Sequence, residues 1–111
     1  MMTRRAENIA TLAANATERV VHILHGGAVF DLRAPIDLDV RDEGPYCLVE
    51  YGPIGLQGRG RDLEEALESF ADQFRGAWEW IASADDPKLT EDARRLKREM
   101  RSLVRSVTPA R

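Results

Sequence analysis

The chain has 111 residues, 43% of them hydrophobic, and a net charge of −3; this fits one globular domain with one core and is too short for two. No apolar run reaches the roughly 18–20 residues that span a bilayer, and Arg4 and Arg5 lack the apolar stretch of a signal peptide behind them, so a cytoplasmic protein without a membrane partner is expected. The single cysteine, Cys47, excludes an internal disulfide framework and points to a reducing compartment.

In chain order, Met1 to Thr17 is polar and alanine-rich, with Ile9, Leu12 and Ala16 at helical spacing. It reads as an N-terminal arm or short helix over residues 1–18. Val20 to Leu24 is dense in β-branched residues and predicts a strand. His25-Gly26-Gly27 supplies a turn, because glycine accepts positive φ at little cost. Ala28 to Arg33 is the returning strand, and Pro35 interrupts it by offering no N–H to a ladder. Ile36 to Arg41 alternates, with Ile36, Leu38 and Val40 on one face and Asp37, Asp39 and Arg41 on the other, which is a half-buried strand. Asp42 to Pro45 is a turn, and Tyr46 to Tyr51 is an apolar, central strand. Gly52-Pro53 breaks it, and a short strand through Ile54 and Leu56 ends at Gly58-Arg59-Gly60.

The stretch from Gly58 to Ala84 organises the rest. Asp62 is an N-cap with Glu65 at capping-box spacing. Leu63, Leu67, Phe70, Phe74, Trp78 and Ile81 recur every three or four residues and share one face of a helix over 62–84. Asp85-Asp86-Pro87 stops that helix. Thr90 caps a second, over 90–107, with Ala93, Leu96, Met100, Leu103 and Val107 as its apolar seam and Arg94, Arg95, Lys97, Arg98, Arg101 and Arg105 on its other face. Trp80 falls outside the stripe of the first helix. Either the second helix folds back over it, or it anchors a protein interface, or it stands exposed alone.

The charge is unevenly placed: Asp31 to Asp72 holds 11 acids and 4 bases, while Lys88 to Arg111 holds 8 bases and 3 acids. Such polarity suits partners of opposite sign at the two ends. No catalytic group assembles. His22 and His25 have HxxH spacing but no third ligand at zinc spacing, and Asp37 and Asp39 lie on the solvated face of their strand. Cys47 sits in an apolar strand as a small core residue. Gly58-x-Gly60 before a helix suits a tight turn better than a phosphate loop, since Asp62, Glu64 and Glu65 occupy the place of an anion. The arginines at 94, 95, 98, 101 and 105 form the best nucleic-acid face, with acids interleaved and no aromatic residues for stacking.

The run from Ile36 to Ala82 resembles the HicB-like antitoxin domain, a partial ribonuclease-H-like fold. The likeness lies in a strand, an acidic turn with glycine, an apolar strand, Pro53-Ile54-Gly55-Leu56, and a G-x-G-x-D-x-x-E-A-L motif formed by Gly58, Gly60, Asp62, Glu65, Ala66 and Leu67. It implies a sheet with a helix packed across it, no enzymatic activity, homodimerisation, and masking of a small ribonuclease toxin. The single basic helix at the C-terminus and the long N-terminal segment depart from the family pattern.

The expected fold is therefore α+β: a small, mainly antiparallel sheet over residues 20–57, covered by one long amphipathic helix and followed by a second. Ile23, Phe30, Leu38, Val40, Leu48, Leu67, Phe70, Phe74 and Trp78 are the expected core. The expected function is a non-enzymatic interaction protein without cofactor or metal, a homodimer or higher oligomer that occludes a small basic toxin. Its contact residues are Trp80 and the acidic strand residues Asp37 and Asp39. The alternative is a nucleic-acid-binding regulator using Arg94, Arg95, Arg98, Arg101 and Arg105.

Overall fold

The structure, a computed structural model, describes residues 16–109; the helical spacing expected through Ile9 and Leu12 lies outside them. The fold is α+β, an antiparallel sheet with two helices on one face. Strand β1 (Ala16–His25) begins four residues before the expected Val20 and takes up the end of the expected arm. It turns through Gly26 and Gly27, at φ 57° and 86°, into β2 (Ala28–Asp42). Two successive residues in the left-handed region make this a glycine turn, as the sequence predicts.

β2 is one strand of 15 residues rather than two. Its register against β1 slips between the pairs Val20↔Ile36 and His22↔Asp31. Arg33, Ala34 and Pro35 fall in that irregularity, so the missing proline N–H falls outside the regular ladder. β3 (Cys47–Tyr51) pairs with the C-terminal half of β2, and β4 (Leu56–Gly60) pairs with β3. Between them Gly52–Ile54 forms a 3-10 turn, which buries Ile54 instead of starting the strand.

Helix α1 (Leu63–Ala77) starts where the cap signal places it: the Asp62 carboxylate accepts the Glu65 N–H at 2.9 Å. Glu65 reaches back past the cap to the Arg61 N–H and guanidinium. These two hydrogen bonds from Arg61 hold the Glu65 carboxyl at about 2, far below its ordinary range. The helix sits directly on β4. A Cβ at Gly58 would stand 2.7 Å from the Phe70 Cα, and one at Gly60 2.6 Å from the Ala66 nitrogen, so both positions need glycine for close approach.

Ile23, Phe30, Leu38, Val40, Phe70 and Phe74 are buried in the core, with Leu67 and Trp78 packed partly buried against it. Phe30 meets the edges of Phe74 and Trp78, with ring centroids 5.3 and 5.7 Å apart. Leu48 is buried, but it shares the opposite sheet face with its register partners Arg41 and Arg59. Leu32, Ile36, Val49, Ile54, Ala66, Ala71, Ala82, Met100 and Val104 complete the core beyond expectation.

Past Ala77 the helix widens into a π turn (Trp78–Ala82), closed by the Ser83 N–H on the Trp78 carbonyl at 3.1 Å. The wider turn shifts the phase, so that Ala82 is buried where the α-helical stripe predicts Ile81. Helix α2 (Glu91–Leu103), capped by Thr90, folds back over this turn. The expected continuation to residue 107 is not helical: Val104–Pro109 is strand β5, antiparallel to the N-terminal half of β2. That edge of β2 extends beyond the reach of β3, and Val104, Val107 and Thr108 are β-branched residues suited to fill it.

Candidate interaction surface

The residues singled out in the sequence do not form one site. Trp80 lies on the helical layer, at the π turn. It is 81% exposed, the most exposed large hydrophobic residue described. α2 does fold back, but it covers Trp78 instead, with the Arg101 guanidinium 5.7 Å from the Trp78 ring. Asp37 and Asp39 alternate with the buried Leu38, and so lie on the far face of the sheet. That face is not the acidic surface expected from composition. Cross-strand register sets Arg19 on Asp37 at 3.1 Å and Arg41 on Glu50 at 3.3 Å, with Arg59 stacked over Tyr46 at 4.6 Å. A charge count over residues 31–72 misses this because Arg19 arrives from β1 and because register, not sequence, sets each base on its partner.

The arginines expected to form one nucleic-acid face divide into three groups. Arg94 donates to the Asp86 and Leu89 carbonyls, and Arg101 to the Ala82 carbonyl. Lys97 joins them on the Ala84 carbonyl and the Asp86 carboxylate, which it draws below its ordinary pKa. These three cations hold carbonyls at and beyond the end of the α1 segment, where helix carbonyls lack internal partners and the helix dipole is negative. Arg95 and Arg98 stay exposed on α2, while Arg105 belongs to β5 and so leaves the helix face.

His22 and His25 diverge. His22 shares the far face of the sheet with its register partner Asp31, whereas His25 meets Asp72 of α1 at 3.1 Å. Among the described residues no three His, Cys, Asp or Glu side chains gather at metal-binding spacing. Burial, reinforced by Asp42 and Asp62, pushes the Cys47 thiol up and keeps it protonated at neutral pH. No helix among the described residues is long and apolar enough to cross a membrane.

The surface around Trp80 has shape. A shallow hollow of about 500 Å³ runs over the exposed side of α1, lined by Asp72, Gln73, Arg75, Gly76, Ala77, Glu79 and Trp80 and bounded by His25 and by Leu56 of β4. Glu64 and Glu68 continue the acidic line toward the helix start, without a salt-bridge partner among the described residues. Arg75, the single base between Leu63 and Ala82, is spent on the His25 and Gly26 carbonyls and on Glu79. Sequence periodicity identified the buried stripe of this helix but not the exposed one. The available signal was a mid-helix glycine four residues before an off-stripe tryptophan.

No family model, curated protein or solved structure matches the chain.

Proposed function

We propose that this chain is a non-enzymatic interaction protein of the antitoxin type, which binds a small basic partner protein and occludes it. The observation that carries this reading is Trp80: a tryptophan almost wholly in solvent, held by a π turn on an acidic helix. Tryptophan is, with tyrosine and arginine, enriched among interface hot spots, and this one offers its whole ring to a partner. The resemblance of residues 36–82 to the HicB-like antitoxin domain supports the same class. In this reading the chain is a homodimer through a sheet edge. β1 pairs on one side only among the described residues and carries the exposed Val21 and Leu24.

The nucleic-acid reading is weaker, because Arg94 and Arg101 already hold carbonyls of their own chain. The test is affinity capture from the native host with the full chain as bait, followed by sizing of the eluted complex. A small basic protein in stoichiometric amount supports the reading. Recovery of the bait alone removes it, and retention on DNA or RNA at low salt, lost on reversing Arg95 and Arg98, would replace it.

A further inference from the structure

We propose that the exposed flank of α1 beside β4 is where the partner docks, and that the docking element is a helix carrying a stripe of small apolar residues flanked by lysine or arginine. This rests on the reading of the chain as a protein-binding module and adds the surface and the chemistry of its occupant. Ser69, Gln73, Gly76 and Trp80 recur at spacings of four, three and four, the repeat of a helix–helix seam. They form an uncharged line along the exposed flank of α1 beside β4, where Ser69 and Gln73 face Leu56 to Arg59 and where Gln73, Gly76 and Trp80 border one hollow.

Gly76 is the unusual member. A Cβ there would meet nothing within 4 Å, so no packing among the described residues requires glycine. A mid-helix glycine is unfavourable for the helix. What it provides is an approach to bare backbone, one turn before Trp80, where a second helix can lie close. Trp80 then covers one end of that helix, and its ring face is open to a lysine or arginine.

Charge selects the occupant. On its β1 side the line meets Asp72 and Glu79, with Glu64 and Glu68 beyond them against β1, and the facing bases are Arg75 on Glu79, His25 on Asp72 and Arg59 across the β4 side. An antiparallel two-fold pairing of this stripe with itself lays the two acidic borders along one side of the helix pair, so like charges meet. A basic helix meets them with opposite charge.

The probe is a synthetic helical peptide with alanine and leucine at its seam positions and lysine beside them, and a counterpart with glutamate for every lysine. Each is titrated into the ¹⁵N-labelled full chain. The lysine peptide is expected to shift the Trp80 indole N–H and the amides of Ser69, Gln73 and Gly76, with binding that weakens as salt rises. Trp80→Ala and Gly76→Arg should each weaken it at least about tenfold. Arginine favours helix over glycine, so Gly76→Arg keeps the fold, which circular dichroism checks.

Equal binding of the glutamate peptide, undiminished binding by both variants, or shifts confined to other surfaces would overturn the proposal. So would a Trp80 signal that moves with protein concentration alone, which would make a second copy the occupant. Affinity capture with the same variants separates the two levels. A host partner held equally by wild type and variants overturns this surface and leaves the interaction reading standing, whereas no partner for either removes both.

Discussion

Replacing Gly58 with alanine tests how α1 is seated on the sheet. The new methyl group would stand 2.7 Å from the Phe70 Cα and closer still to the Ala66 carbonyl and the Phe70 nitrogen. These are backbone atoms of a helix, so no rotamer change relieves the clash. To bring the nearest of these, the Ala66 carbonyl oxygen, out even to a tight 3.0 Å contact, α1 must lift by about 0.7 Å. A gap of 0.5–1 Å forfeits roughly a quarter to a half of the dispersion energy across it. Phe70 and Phe74, both fully buried, make that contact, and each contributes about 2–3 kcal/mol by burial. Losing part of both costs about 1–2 kcal/mol, and residual strain adds about 1–3 kcal/mol. The smaller entropy of an unfolded chain with alanine returns about 0.4–1 kcal/mol. The expected net loss is about 1–4 kcal/mol, or roughly 5–25 °C in Tm for a domain of this size. Urea unfolding followed by far-ultraviolet circular dichroism measures it as a lower midpoint at unchanged slope. A loss below about 0.5 kcal/mol, the range of neutral surface changes, would refute the seating of α1 on β4.

Gly76→Ala should do the opposite. With open space at the Cβ, it is expected to raise stability by roughly 0.5–1 kcal/mol in the same urea assay, at the expense of partner affinity. Glu65, held at about 2 by Arg61, supplies stability that is fully present above the ordinary carboxylate range and is lost as pH falls through about 2. Glu65→Gln should therefore lower stability at pH 7 and flatten the acid limb of a stability–pH curve below pH 5. Arg101→Ala removes the donor to the Ala82 carbonyl and the cover over Trp78, and should cost about 1 kcal/mol. Arg98→Ala, exposed and without these bonds, should stay within about 0.5 kcal/mol of wild type in thermal unfolding.

These effects also show what could be read from residues alone. The α1 boundary was legible because its signals are local: a cap at Asp62, a stripe at helical period, and glycines at 58 and 60 where strand passes under helix. The β1–β2 turn was legible for the same reason, since Gly26-Gly27 permits a geometry few other residues accept. β5 was not. Met100, Leu103 and Val107 continue a helical seam, and only the free upper edge of a distant β2 decides that Val104–Pro109 extends into a strand. The exchange of Ile81 for Ala82 in the core follows from one widened turn, for which spacing alone carries no sign. In the candidate surface, Trp80 was visible as an off-stripe residue. Its separation from Asp37 and Asp39, and the pairing of Asp37 with Arg19, required the sheet register. The basic helix looked like one binding face because carbonyl acceptors such as Ala82 and Leu89 have no sequence signature.

The central claim is that Trp80 and Gly76 mark the face by which this chain holds a basic partner. The most direct measurement is parallel affinity capture from the native host with wild type and the Trp80→Ala/Gly76→Arg double variant, each shown folded by circular dichroism. Wild type is expected to retain a small basic protein in stoichiometric amount, and the double variant to lose it. Equal retention by both would contradict the claim.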